Sequence, residues 1–251
     1  MRKILRQLLE RAGYWTVHRS VLPFGVDPID DIKRLAAARG LVIDTVFDVG
    51  AHVGQTARQY LSAFPSAQVH SFEPHPNSFR CLAQIDNPHL RAHQLALSDG
   101  CGAGEFFVFD DMVDPEEAVP ASMNNSLVQD TQFSRIGGRY EKSISVERAT
   151  VDAVCERERI ERLGLLKIDT EGHELAVLEG ARATLERRGV PFVFLEFESL
   201  LPVNEASGGA LAPCAERLEP HGYRLVATYP VNMVERPFYA CLNALFFRES
   251  T

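Results

Sequence analysis

Short apolar runs alternate along most of the chain with segments whose apolar residues recur at helical spacing. The runs DTVFDVG, AQVHSFEP, LRAHQLALS, GEFFVFD, LGLLKID and PFVFLEFE predict strands. Between them, DPIDDIKRLAAARG, GQTARQYLSAF, PNSFRCLAQI, GHELAVLEGARATLERRG and GALAPCAERLEPHG predict helices, several closed by a glycine or followed by a proline. VERATVDAVCERE starts extended and turns helical. The central strands are almost continuously apolar, as strands are when helices cover both faces of a parallel sheet. The pattern predicts an α/β fold: a doubly wound, Rossmann-like sheet with helices on both faces. YRLVATY and NALFFRE follow one another without a helix, which predicts an antiparallel hairpin at one sheet edge. Ligands of such sheets bind at the carboxyl ends of the strands, where the strand order reverses.

Two stretches depart from the alternation. The opening MRKILRQLLERAGYW reads as a basic amphipathic helix, with Ile4, Leu5, Leu8, Leu9 and Ala12 on one face and Arg2, Lys3, Arg6 and Arg11 around them. It is either part of an N-terminal helical segment, residues 1–40, laid on the main domain, or a contact for an anionic membrane surface or a partner subunit. Residues 110–140 are polar, carry two prolines and a Gly-Gly pair, and lack periodicity. A loop of that length inside a compact domain predicts an insertion or lid over the active site, the alternative being a plain surface excursion.

Length and charge narrow the picture further. The chain has 251 residues, so residues 41–251 suffice for one large α/β domain. A formal charge of −8 argues against a nucleic-acid partner, which needs a basic surface. The five cysteines are scattered and form no C-x-x-C pair, which favours a reducing, cytoplasmic setting over a disulfide framework. No apolar run is long enough to span a bilayer, and the N-terminus lacks the continuous apolar core of a secretory signal.

The candidate chemistry lies at the strand ends. The first strand runs into FDVGAHVG, where Gly50 and Gly54 allow a sharp turn against a ligand and the next helix offers free amides. His52 stands where D-x-G-x-G-x-G would have its middle glycine. The second strand ends in Glu73, 23 residues beyond Gly50, close to the spacing at which an acid reaches ribose hydroxyls. The third ends in LALSDG, where Ser98 and Asp99 can meet an adenine edge. The fourth stops abruptly in LLKIDTEGHELAVLEG, with Asp169, Glu171, His173 and Glu174 in quick succession. Helix capping by Thr170, Glu171 and Glu174 explains part of that cluster, but not an acid on the strand end itself. Lys167, inside the apolar run, reads equally as an edge lysine with a buried stem or as a functional group.

FDVGAHVG, FEPHPNSF, LALSDG followed by GEFF, NNSL and LLKIDTEGHELAVLEGA, in this order over residues 44–198, resemble the FkbM family of S-adenosylmethionine-dependent methyltransferases. Where that family's first motif usually has Asn, this chain has His52. The resemblance implies the class I methyltransferase fold, a seven-stranded mixed sheet of order 3-2-1-4-5-7-6, with Asp48, Gly50, His52 and Gly54 around the cofactor's methionine part. It implies O-methylation of a sugar, glycan or polyketide-type natural product. Asn125 and Ser126, in the family's short polar motif, are then placed to bond substrate or close over the cofactor, unless they form a simple turn.

An alkyl hydroxyl is a poor nucleophile at neutral pH and needs a base or a metal ion. Asp169, Glu171 and His173 are the candidates for the base, and Glu196 at the end of the fifth strand a candidate for the acceptor. Asp169 with Glu196 offers the all-oxygen ligand set that Mg2+ prefers. The same sheet also serves nicotinamide-dependent oxidoreductases and non-catalytic nucleotide-binding scaffolds. The absent G-x-G-x-x-G counts against the first, and the acids at three strand ends against the second. A homo-oligomer is left open.

Overall fold

The computed structural model describes residues 2–13, 22–109, 125–129, 139–197, 199, 209–230 and 242–249. One sheet contains β1 (Thr45–Val49), β2 (Gln68–Phe72), β3 (Leu90–His93), β7 (Leu165–Ile168), β8 (Phe192–Phe197), β9 (Tyr223–Pro230) and β10 (Leu242–Arg248), in the order β3-β2-β1-β7-β8-β10-β9. A second, three-stranded sheet joins β4 (Ala96–Leu97), β6 (Lys142–Ala149) and β5 (Gly102–Val108) in that spatial order. The small sheet takes three strands out of the count, so the strands of the large sheet alone, in chain order, run 3-2-1-4-5-7-6. The strand expected over LRAHQLALS is in fact divided: its first half pairs with β2, its second with β6. β10 runs antiparallel to both β8 and β9, so the expected hairpin forms the sheet edge.

The helices are α1 (Arg2–Arg11), α2 (Pro28–Ala38), α3 (Gln55–Ala63), α4 (Pro76–Leu82), α5 (Val151–Arg157), α6 (Glu174–Glu179) and α7 (Leu211–Leu218). Alternate residues of the central strands feed two cores. Phe47, Val49, Leu166, Ile168, Val193 and Leu195 pack with apolar residues of α5, α6 and α7. Val46, Leu165, Phe192 and Phe194 pack with α2 and α3 through Ile32, Ala36, Tyr60 and Leu61. Full burial of such side chains stabilises the fold by about 1.5–3 kcal/mol each. Asp31 of α2, 2% exposed, accepts the Tyr229 hydroxyl at 2.8 Å and ties α2 to the edge strand. On α1, Leu8 is 57% exposed. Among the described residues no helix is long and apolar enough to cross a membrane.

The long helix expected over GHELAVLEGARATLERRG is interrupted. α6 ends at Glu179, and a π-helical turn covers Thr184–Arg188. The Asp152 carboxylate accepts from the amides of Ala183 (2.8 Å) and Thr184 (2.7 Å), which competes with regular helical pairing there. Gly180 sits where a Cβ would lie 2.0 Å from the Ser98 carbonyl oxygen, so the break also lets the chain press against the end of β4. Of the expected insertion over 110–140, residues 110–124 and 130–138 lie outside the described residues.

Candidate active site

The ends of β1 and β7 meet at the point where the strand order reverses. Gly50 has φ +75, and a Cβ there would lie 1.7 Å from the Asp169 carbonyl oxygen, so only glycine lets the two strand ends pass this closely. His52 follows with φ +48, and its amide donates to Glu73 Oε2 at 2.9 Å. The His75 amide donates to Glu73 Oε1 at 2.8 Å. Burial pushes the Glu73 carboxyl up to about 7, although both amides pull it down.

Beside Glu73 opens a cleft of about 630 Å³, part of it in contact with solvent. Phe72, Pro74, Leu95 and Leu97 give it an apolar wall; Gly50, Asp169, Glu171 and His173 lie along the rest. His52 and Asn125 also line it. Asp169, Glu171 and Glu196 bring carboxylate oxygens within 4.8 Å of one another, so the pair expected to share a cation is brought together, with Glu171 as a third acid.

The turn after β7 is held from two sides. Glu171 and Gly172 have φ +53 and +94. Glu174, 1% exposed, folds its Oε1 back onto the amide (2.8 Å) and hydroxyl (3.0 Å) of Thr170. Thr170 is therefore not the helix cap the sequence suggested: α6 begins at Glu174, and Glu174 organises the turn before it. Burial pushes the Glu174 carboxyl up to about 7. From the other side, the Ser126 hydroxyl donates to the Glu171 carbonyl oxygen at 2.8 Å. Ser126 is fully buried, and the Asn125 side-chain oxygen accepts the Phe109 amide at 2.7 Å, so both are engaged in pinning their segment over the cleft.

Ser98 does not line the cleft. Its hydroxyl donates to Asp99 at 3.0 Å and lies 2.9 Å from His173 Nε2. A carboxylate only accepts, so the single Ser98 proton points to Asp99 and Nε2 of His173 carries the ring proton. Burial pulls the His173 imidazole down to about 4, as it does His52, so both rings are neutral at pH 7.

Asp48 departs most from expectation. It is 0% exposed and lies behind the turn, where it accepts from Thr56 Oγ1 at 3.0 and 2.9 Å and pairs with Lys167 Nζ at 3.1 Å. Gly54 also faces away from the cleft, toward Leu82 and Ile85. Thr56 was not singled out from the sequence, and Lys167, read there equally as an edge lysine or a functional group, lies not at an edge but on β7 between β1 and β8. The available signal was a lysine inside an apolar strand, which requires nearby oxygen partners.

The methyltransferase FkbM domain matches residues 48–225. The chain belongs to the FkbM methyltransferase family. It is 27% identical over 157 residues to the 2-O-methyltransferase NoeI of Sinorhizobium fredii, covering 61% of this chain and 62% of that protein. It is 28% identical over 201 residues to the 31-O-demethyl-FK506 methyltransferase FkbM of Streptomyces tacrolimicus, covering 73% and 74%. With the hexuronic acid methyltransferase AglP of Haloferax volcanii the identity is 26% over 172 residues, covering 67% and 62%. The chain thus spans about three fifths of the length of NoeI and AglP. A solved structure of a Listeria monocytogenes protein, described as a putative S-adenosylmethionine-dependent methyltransferase, superposes with a TM-score of 0.46 at 7% identity, over 83% of this chain and 92% of that one.

Family membership implies S-adenosylmethionine as methyl donor. The cleft fits that group. Glu73 has carboxylate oxygens that would accept from ribose hydroxyls, and the wall of Phe72, Pro74, Leu95 and Leu97 would suit a flat purine.

Proposed function

We propose that this methyltransferase acts on a hydroxyl of a sugar, glycan or natural product. The observation that carries the reading is one cleft lined by Glu73 and by Asp169 and Glu171, with the Glu196 carboxylate within 4.8 Å of the latter two. The similarity to the 2-O-methyltransferase NoeI and to the 31-O-demethyl-FK506 methyltransferase of Streptomyces tacrolimicus supports it.

Bound S-adenosylmethionine would supply an electrophilic methyl group on its sulfonium, with the carbon–sulfur bond breaking and S-adenosylhomocysteine as the leaving group. The protein's part is to hold the acceptor oxygen in line and remove its proton. Asp169 takes that proton as the oxygen–carbon bond forms. Glu171 and Glu196 accept hydrogen bonds from further hydroxyls of a polyhydroxylated acceptor, and His173, neutral and protonated on Nε2, presents Nδ1 as an acceptor. Asn125 and Ser126 keep the roof of the cleft closed over the turn that carries Asp169.

The test pairs calorimetry with methyl transfer. S-adenosylhomocysteine should bind and a nicotinamide dinucleotide should not. With isotopically labelled donor, neutral glycosides, a hexuronate and a macrocyclic polyol are offered in turn, and label should appear in an alkali-stable methyl ether. Label recovered on nitrogen or carbon of the acceptor would sink the reading.

A further inference from the structure

Asp48 and Lys167 are direct neighbours across β1 and β7 and share the sheet face covered by α3. Both side chains are almost fully buried, at 0% and 3% exposure. The Lys167 ammonium sits among four oxygens: Asp48 Oδ1 at 3.1 Å, the Val49 and Gly50 carbonyls at 3.2 and 2.9 Å, and Asp169 Oδ2 at 3.4 Å. Three of these belong to the turn where β1 ends, and the fourth to the acid that follows β7. Burial alone would strip the ammonium of its proton, but Asp169 and Asp48 hold its affinity for the proton above that of an ordinary lysine. Thr56 and Ser71 add hydroxyl donors to Asp48, so the buried pair is neutral and hydrogen-bonded.

We propose that Lys167 is a positioning residue of the methyl-transfer site: anchored on Asp48 and on the turn at Gly50, its ammonium holds one carboxylate oxygen of Asp169 and leaves the other turned to the acceptor. This rests on the O-methyltransferase reading above. Lys167 touches neither donor nor acceptor, since its three donors are spent on protein oxygens. Asp48 matters because it cancels the ammonium's charge in the interior. Asp169 therefore keeps its place without its negative charge being neutralised by an unbalanced cation.

Lys167→Met alone leaves Asp48 buried without its counter-ion and is expected to fold poorly. The informative variant is Asp48→Asn with Lys167→Met, which removes both charges and keeps similar volumes. It should retain the parent's circular dichroism and a cooperative melt, and bind S-adenosylhomocysteine within tenfold of the parent. Its kcat should fall at least 50-fold with the acceptor KM changed less than fivefold. A crystal structure of the double variant should show the Asp169 carboxylate displaced or in two rotamers. A folded double variant with Asp169 in its parental position overturns the proposal whatever the acceptor, and so does a kcat within threefold of the parent. A parent protein that binds S-adenosylhomocysteine but methylates no hydroxyl overturns the functional reading instead, and the position of Asp169 still decides the role of Lys167.

Discussion

The hydroxyl of Ser126 donates to the carbonyl oxygen of Glu171 at 2.8 Å across 45 positions of sequence. The same Ser126 oxygen accepts the Val128 amide at 3.0 Å, and its backbone pairs with Phe107 of β5. One buried side chain thus fastens the small sheet to the turn that carries Asp169 and Glu171. Ser126→Ala should lower stability by about 1–2 kcal/mol, the usual cost of hydrogen bonds removed from a buried site. Denaturant midpoints check this, and the acceptor KM should rise more than the affinity for S-adenosylhomocysteine changes.

Glu73, as the proposed ribose contact, should give donor binding a pH dependence. Its carboxyl is raised to about 7, so at pH 6 it is mostly protonated and at pH 8 mostly ionised. A ribose that donates to the ionised form binds better as pH rises through 7. S-adenosylhomocysteine affinity should improve by roughly tenfold between pH 6 and pH 8. Glu73→Gln should remove the slope and weaken binding at pH 8 by about 1.5–3 kcal/mol, as expected for a charge-assisted hydrogen bond. Calorimetric titrations at the two pH values decide it, and a slope that persists in the variant would assign the effect elsewhere.

Asp169 is the proposed base. Asp169→Asn keeps the shape of the group and one acceptor oxygen but loses the ability to take a proton. Turnover should fall by on the order of 10²-fold or more, the usual size of a general-base contribution. Affinity for S-adenosylhomocysteine should stay within about 1.4 kcal/mol of the parent, a factor of ten. Parental turnover in the folded variant would move the base to Glu171 or His173.

Glu174 acts through stability. Its pKa is raised from 4.5 to about 7 by burial, so the folded state holds this proton more tightly than the unfolded chain. Its contribution is full below about pH 4.5 and declines as pH rises to about 7. His52 and His173 work in the opposite direction, since their pKa values fall from 6.5 to about 4 and they favour the fold as pH rises through that window. Glu174→Gln cannot ionise and keeps the oxygen that accepts from Thr170. Relative to the parent, the variant should gain on the order of 2–3 kcal/mol between pH 5 and pH 8. Urea unfolding at both pH values measures the difference.

Lys167 already holds the Asp169 carboxylate in place, so catalysis should withstand a chelator. Activity should be unchanged after EDTA treatment and dialysis. Loss of activity restored by magnesium would instead assign an ion to the oxygens of Asp169, Glu171 and Glu196.

Much of the architecture was legible because it rests on local patterns. The apolar run ending at Asp48-Val49-Gly50, the run ending at Ile168-Asp169 and the helical spacing of Ile32 and Ala36 each encode a burial face within a few residues. Strand ends are visible in the same way, since an apolar run stops where charge begins, and this placed Glu73 and Asp169 at one end of the sheet. The break of LRAHQLALS into two strands of different sheets was not visible, because neither Gln94 nor Leu95 is a turn-forming residue such as glycine or proline. The interruption after Glu179 was hidden for a related reason: the carboxylate that draws off the amides of Ala183 and Thr184 belongs to Asp152, on another helix.

The sequence by itself determined the fold class, the glycine turn after β1 and the acids at the strand ends, because periodicity, chain reversal and charge at the end of an apolar run are properties of neighbouring residues. Only the tertiary structure decided what those acids touch. Strand pairing sets Lys167 beside Asp48 and turns Asp48 from an expected cofactor contact into a buried anchor. The crossing of β4 and α6 sets Ser98 against His173, 75 residues away, and fixes the tautomer of that imidazole. Such pairings depend on the relative position of strands and helices, which no local pattern encodes.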